Sequence, residues 1–483
     1  MQHRLRTRPF AHQTRARELM SGRRAFALLM EMGTGKSWVL LDDIVDLFMT
    51  GKIDGALIAA GKGSYTTWTR SELPTHMPRD LDWSAYLWTG SDSAEDRQQR
   101  RAMTSTPEAG RRPHELQIVV MNTEAIGSSP RALKFATDFM RAGRRLMAVD
   151  ESTMIRNHTS RRFENCRDLG ELATHRRILT GSPVANSPLD LWGQFEFLGH
   201  GLLGYRSFYA WRARYALLRT VDMGARKIPV VEGYQNLDEL HEIVGSHSYR
   251  VTKDECLDLP PKVMTEREVA ITDRQREMYD SMRRMALAEL DSGEVVVGRS
   301  AMSVIMRLHQ ILCGWLPDES GRIVRIDSLR MAALLEVLEE SGLPAIVWCA
   351  YRADVAAIRQ ALDVWCPGQT VEYHGGTSHE DRIRAVEDFQ SGRARFFVST
   401  LATGSRGTTL TAAGLVVYFS NSFDLEYRVQ SEDRAHRIGQ LRSVTYVDLV
   451  VRGTVDERIV SALRKKQSIA DIVTGDRGRS WLL

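Results

Sequence analysis

Short apolar runs without alternation recur along the chain, each followed by a stretch of helical periodicity, and they fall into two series. The first holds AFALLM (25–30), GALIAA (55–60), QIVVM (117–121), LMAV (146–149) and RILT (177–180). The second holds AIVWCA (345–350), VEYH (371–374), RFFVST (395–400), LVVYFS (415–420) and TYVDLVV (445–451). A strand with one wet face alternates apolar and polar residues, whereas a strand covered on both faces does not. Such runs, separated by helices, predict parallel sheets flanked by helices, and two series predict two α/β domains. Residues 190–250 and 272–335 read as mostly helical protrusions. The paired prolines Pro260 and Pro261 in DLPPK (258–262) break helix and stiffen the chain. They mark a linker between an N-terminal lobe (1–257) and a C-terminal lobe (263–483). The polar stretch 91–115 reads as a surface helix and loop.

Composition narrows the class without naming a function. At 483 residues the chain exceeds one ordinary core. Hydrophobic residues at 43% and charged residues at 26% fit a globular protein rather than a disordered one. With 65 basic and 61 acidic residues the net charge is only +4, so nucleic-acid binding would have to use local patches. Five cysteines without a CxxC pair argue against disulfide staples and a zinc cluster, and fit a reducing compartment. There is no apolar run of about 18 residues to span a membrane, and the basic N-terminus lacks an apolar signal region. A cytoplasmic, membrane-free protein is the expectation.

Chemistry enters after the first run. In MEMGTGKS (30–37), Gly33 and Gly35 free the backbone around Thr34 to turn its N–H groups toward a phosphate. Lys36 would reach the β- and γ-oxygens of a nucleotide, and Ser37 would ligate Mg²⁺ at the start of a helix running to about Met49. The strand LMAV runs into Asp150 and Glu151, which places two carboxylates at the ligand-binding end of a parallel strand. Asp150 would hold Mg²⁺ and Glu151 would polarise the attacking water. In QSEDRAHRIGQ (430–440), Gln430, Arg434 and Arg437 share one helical face at i, i+4 and i+7. Phosphoryl transfer gains from arginines aimed at the transition state, so Arg434 and Arg437 are candidates for that role.

These motifs, with others in order, resemble the Swi/Snf-type DNA translocase ATPases of helicase superfamily two. The resemblance runs through Gln13, EMGTGKS (31–37), the segment ending at Trp68 and Glu72, VDEST with IRN (149–157) and LTGSPVANSPLDLW (179–192). It continues through RVTKDECLDLPPK (250–262), HGGTSHEDR (374–382), STLATGSRGTTLTAA (399–413), QSEDRAHRIGQ and RGTVDERIV (452–460), nearly the whole chain. It implies two RecA-like lobes, ATP and Mg²⁺ as cofactors, and double-stranded DNA as a partner gripped through its backbone. It also implies that Gln13 pairs with adenine and that Gly407 lines the nucleotide cleft. Lys62, Thr123, Ser399 and Thr400 would touch DNA phosphates; Thr180, Ser182 and Gln430 would couple nucleotide state to movement. RGTVDERIVSALRKK would supply a brace helix at about 453–466, in a compact, monomeric member. A strand-separating helicase and a non-processive ATP switch are the alternatives.

Three positions depart from the family pattern: Thr153 stands where histidine or a relative is usual, Gly61 where proline is usual, and LATGSRG carries one extra residue. Two further clusters have plainer readings. The aromatics of YRSFYAWRARY (205–215) pack on their own protrusion, and Lys134, Arg141, Arg144 and Arg145 form a solvated basic face.

Overall fold

The computed structural model describes residues 5–62, 64–105, 114–222, 227–256, 259–292, 297–405 and 408–474. The described residues divide into two compact units, one of residues up to 256 together with 468–474 and the other of 259–467.

The first unit carries strands β1 (Ala25–Met30), β2 (Gly55–Ala60), β3 (Trp83–Leu87), β4 (Leu116–Asn122), β5 (Arg145–Asp150) and β6 (His175–Leu179). An antiparallel hairpin, β7 (Ala216–Asp222) and β8 (Lys227–Tyr234), precedes β9 (Ser248–Val251). Seven strands form one parallel sheet in the order β3-β4-β2-β5-β6-β1-β9. The pleat sends alternate residues to two cores. Leu57 and Ala59 join one with Phe135 and Trp192, and Ala56, Ile58 and Ala60 join the other with Leu40 and Ile44. Helices therefore cover both faces, as the unalternating runs predict.

The second unit repeats the plan with β10 (Lys262–Glu268), the small hairpin β11 (Trp315–Pro317) and β12 (Ile323–Arg325), β13 (Ala345–Cys349), β14 (Thr370–Tyr373), β15 (Phe396–Thr400), β16 (Leu415–Tyr418) and β17 (Val444–Val450). Six of them form a parallel sheet in the order β10-β17-β16-β13-β15-β14. Val347 faces one core and Trp348 the other. Each unit is thus a RecA-like α/β lobe. The C-terminal helix spans Val455–Thr474.

All ten expected runs form strands, but β3, β9 and β10 do not stand out in the sequence. Each lies at an edge of its sheet. β10 (KVMTERE) is partly exposed along its length, and an edge strand carries charge where a central strand cannot. The segment 190–250 is also less helical than expected: helices Leu191–Leu198, Phe208–Tyr215 and Leu237–Ser246 share it with the β7–β8 hairpin and β9. Within 272–335, helices Asp273–Ser292 and Val297–Leu312 are followed by the β11–β12 hairpin. The helix Phe208–Tyr215 buries Trp211 and Tyr215 completely, with Trp211 packed on Trp192 and Tyr215 on Trp211. Arg145 corrects the solvated-face reading: its buried guanidinium bonds Asp54 (2.9 Å), Gln117 (2.9 Å) and the Phe139 carbonyl (3.1 Å).

Candidate nucleotide-binding site

Because the first sheet is parallel, its C-terminal strand ends line one edge, and the conspicuous polar residues collect there. Register fixes the neighbours: Ala59 of β2 lies opposite Val149, Asp150 opposite Leu179, and Leu28 opposite Leu179. The loop after β1, the acidic pair after β5 and Thr180 after β6 are therefore adjacent.

The loop turns on two glycines in the left-handed region, Gly33 (φ 81°) and Gly35 (φ 82°). Helix Lys36–Met49 starts immediately after Gly35 with no side-chain cap, which leaves first-turn N–H groups and the helix dipole for an anion. Lys36 is buried, and its Nζ donates to the carbonyls of Met30 (3.1 Å) and Glu31 (3.4 Å). Thr34 folds its hydroxyl onto Glu31 O at 2.7 Å. Ser37 is partly exposed on the first helical turn.

Gln13 lies behind this loop. Its Oε1 accepts from Phe10 N (2.8 Å), and its Nε2 faces the carbonyls of Thr34 (3.3 Å) and Gly35 (3.4 Å). A Cβ on Gly35 would stand 2.1 Å from Gln13 Nε2, so the Gln13 amide would have to shift, while φ 82° is what favours glycine there. Gln13 thus braces the phosphate loop through both ends of its amide.

Asp150 receives two hydrogen bonds, from the Trp68 indole to Oδ2 (3.0 Å) and from Glu151 N to Oδ1 (3.1 Å). Desolvation pushes its pKa above the ordinary carboxylate value, opposed by the Lys36 ammonium and these two donors. Glu151 adopts φ 53°, ψ 58°, a left-handed conformation that costs a non-glycine residue about 1–2 kcal/mol. Strain of this kind persists where surrounding structure enforces it, and it marks functional turns. Thr153 is buried in the short helix Ser152–Ile155 that follows.

Two residues without an expected role tie the motifs together. Gln194 accepts from Ser152 Oγ (2.7 Å) and donates to the carbonyls of Pro183 (2.7 Å) and Asp190 (2.9 Å), joining the acidic turn to the loop after β6. Arg250 donates to Leu29 O (2.9 Å) and Gly181 O (3.0 Å), joining β1 to that same loop. Thr180 is fully buried and its Oγ1 accepts from Ser182 N at 3.1 Å. Gly181 packs so closely that a Cβ would stand 2.9 Å from Met32 N. Gln194 lies outside the motifs quoted above, and Arg250 opens RVTKDECLDLPPK without a spacing that points to its carbonyl partners.

In the second unit the arginine motif does not form one continuous helical face. Its helix spans Leu425–Ala435, His436 is the C-cap, and Arg437 lies beyond. The two guanidinium groups converge nonetheless: Nη1 of Arg434 lies 2.9 Å from Thr408 O and Nη1 of Arg437 lies 3.5 Å from it. Arg434 also donates to Gln430 O (3.0 Å), and Arg437 to Thr409 Oγ1 (2.9 Å). Gln430 is buried and donates to Glu426 Oε1 at 3.1 Å. Gln440 contacts the carbonyls of Thr411, Ala413 and Ala435 at 3.0–3.1 Å. His436 Nε2 lies 2.7 Å from Pro260 O. Gly407 lies outside the described residues.

Of the four residues expected at DNA phosphates, only Lys62 is exposed. Thr123 begins the helix Thr123–Ser128 and is fully buried. Ser399 is also fully buried and donates to Tyr373 O (2.6 Å), while Thr400 bonds Thr403 (3.1 Å).

The model of the SNF2-related domain matches residues 12–315, more than half the chain, and that of the helicase conserved C-terminal domain matches 329–439. The chain belongs to the SNF2-related family. Among its curated relatives is the human SWI/SNF-related matrix-associated actin-dependent regulator of chromatin subfamily A member 1. It is 26% identical over 385 residues, 75% of this chain and 34% of that protein. The putative ATP-dependent helicase/translocase YwqA of Bacillus subtilis is 25% identical over 348 residues, 70% of this chain and 36% of that protein. This SNF2-related chain spans about a third of the length of both. A solved Sulfolobus solfataricus SWI2/SNF2 ATPase core in complex with dsDNA aligns over 99% of this chain and 95% of its own. The identity is 21% and the TM-score 0.42.

Proposed function

We propose that this protein is an ATP hydrolase that uses the energy of each turnover to move along double-stranded DNA. The observation that carries the reading is the meeting of Lys36, Asp150 and the strained Glu151 at one sheet edge, beside an uncapped helix N-terminus. Membership in the SNF2-related family supports it, as does a relative named as a putative ATP-dependent helicase/translocase.

Lys36 and the first-turn N–H groups hold the β- and γ-phosphate oxygens, and Glu151 accepts the proton of the attacking water. Arg434 and Arg437 supply positive charge to the transferring phosphoryl group. Mg²⁺ fits the donor set. Asp150 and Ser37 offer one carboxylate and one hydroxyl, and Mg²⁺ takes few protein ligands when substrate phosphates provide the rest. Among the described residues no group of three or more His, Cys, Asp or Glu could hold a metal alone. When bound, the ion neutralises charge on the phosphates. Lys62 and neighbouring backbone contact DNA phosphates without reading sequence, and Thr180, Ser182 and Gln430 transmit nucleotide state. No helix among the described residues is long and apolar enough to cross a membrane, and we place the working form in the cytoplasm as a monomer.

Purified protein at low salt should hydrolyse ATP slowly alone and roughly tenfold or more faster with duplex DNA. ATP consumption that ignores both the presence and the length of DNA would exclude translocation. A second reading, strand separation, is favoured by the β7–β8 hairpin, which exposes Leu217, Leu218 and Val230 in the manner of a wedge. Opening of a forked duplex that is lost when 216–234 is replaced by a short turn would select it; displacement of a triplex strand without fork opening selects translocation alone.

A further inference from the structure

Asp150 is held by a side chain that no step above uses. Trp68 opens a π-helical turn, Trp68–Glu72, in the segment that follows β2. Turns of this wider kind are rare and concentrate at functional sites. The ring is 2% exposed and belongs to the core formed with Leu40, Ile58 and Leu73, yet its N–H leaves that core to donate to Asp150 Oδ2 at 3.0 Å. A buried indole N–H usually finds an acceptor, although those of Trp211 and Trp348 have none among the described residues, and that of Trp68 takes the carboxylate assigned to the metal rather than a backbone carbonyl. The other oxygen, Oδ1, is fixed by Glu151 N at 3.1 Å. Both oxygens are therefore anchored, and each keeps a lone pair for another ligand.

We propose that Trp68 is a positioning residue that fixes the Asp150 carboxylate for the metal–nucleotide complex. Packing alone would account for a buried ring at this position, and a bicyclic aromatic of the same shape without an N–H would satisfy packing. The N–H is what the proposed role requires.

The inference rests on the assignment of Asp150 to Mg²⁺, and the test separates the two. Trp68→Phe in the full chain removes the donor and keeps an aromatic ring, though a smaller one. Binding of a methylanthraniloyl derivative of AMP-PNP would be followed by anisotropy across an Mg²⁺ titration, with melting temperature as the control for folding. Trp68→Phe should bind the analogue unchanged without metal, and should need about tenfold more Mg²⁺ for half-maximal tightening, the scale of a lost hydrogen bond to a charged group. Superimposable Mg²⁺ titrations in a folded Trp68→Phe protein would overturn the role of Trp68 alone. A wild-type chain that binds the analogue independently of Mg²⁺ would overturn the Asp150 assignment and this inference with it. Should Trp68→Phe fail to fold, benzothienylalanine installed at position 68 replaces N–H by sulfur at nearly constant shape, and the same shift is expected.

Discussion

The phosphate loop (30–37) and the arginine motif (430–440) are equally conspicuous as sequences, but the molecule uses them differently. In the loop, backbone conformation does the work. Two glycines at positive φ and an uncapped helix start present N–H groups, while Gln13 and Lys36 are anchored on carbonyls behind them. In the arginine motif the side chains do the work, and most of it is internal. Gln440 spans three carbonyls, His436 meets Pro260, and Arg434 joins Gln430 to Thr408. A polar motif therefore need not be a list of ligand contacts. Much of this one fastens the segment that carries two guanidinium groups.

The sharpest break of that comparison lies in the chemistry. Glu151→Gln should lower turnover by about 10²–10⁴-fold, as removal of a general base does, while retaining nucleotide affinity. Lys36→Ala should lose turnover and nucleotide affinity together, because it removes ground-state contacts. Equal loss of affinity in both variants would contradict the separate roles. The arginines should divide in a second way. Both Arg434→Ala and Arg437→Ala should reduce turnover by about 10³-fold or more. Only Arg434→Ala should also destabilise its unit, by about 1–3 kcal/mol, because Arg434 is 3% exposed and its loss strips buried carbonyls of a donor. Denaturant melts of both variants test this, and equal midpoints would place the two residues in one class.

A smaller effect is expected behind the loop. Gly35→Ala should cost about 1–3 kcal/mol from the left-handed backbone and the approach of Gln13. Adding Gln13→Ala should relieve the steric part and leave the backbone part, so a double-mutant cycle should show coupling. Purely additive effects would mean Gln13 does not brace the loop.

The last prediction concerns wiring carried furthest from chemistry. In the second unit, buried Arg330 bonds Asp456, His309 lies 3.4 Å from Asp456 and 3.0 Å from Tyr351 Oη, and Asp354 accepts from Trp315 (2.7 Å) and Ser420 (2.6 Å). Burial lowers the His309 pKa to about 4, with Asp456 opposing and Arg330 reinforcing that shift. The folded state then binds fewer protons than the unfolded one between pH 6.5 and 4, and stability falls as pH falls through that window. Asp354, raised by burial to about 6, acts oppositely as pH rises from 3.8 to 6. His309→Gln should therefore flatten the acid-side loss of stability, measured as denaturation midpoint against pH. An unchanged slope would remove His309 from the account.

The legible and illegible parts of the fold divide along burial. Central strands such as GALIAA and AIVWC announce themselves because both faces must be apolar. Edge strands such as KVMTERE do not, because one edge and part of their faces meet water. The β7–β8 hairpin escaped for a related reason: an antiparallel pair outside the main sheet needs no apolar run. At the candidate site, residues marked by a fixed local pattern are legible, namely Gly33, Gly35, Lys36, Asp150 and Glu151. Gln194, Arg250 and the Trp68 bond to Asp150 were not, since each depends on contacts across 11, 221 and 82 positions of chain.

The sequence by itself determined two α/β units, the phosphate loop and the acidic turn, because periodicity, glycine conformation and strand-end chemistry are local properties. Only the tertiary structure decided that Arg145, Thr123 and Ser399 are buried, that the arginine helix stops at Ala435, and that Arg434 and Arg437 still meet at Thr408. A side chain's use depends on what distant strands place beside it. No spacing along the chain encodes the competition between solvent, buried carbonyls and ligand for the same donor.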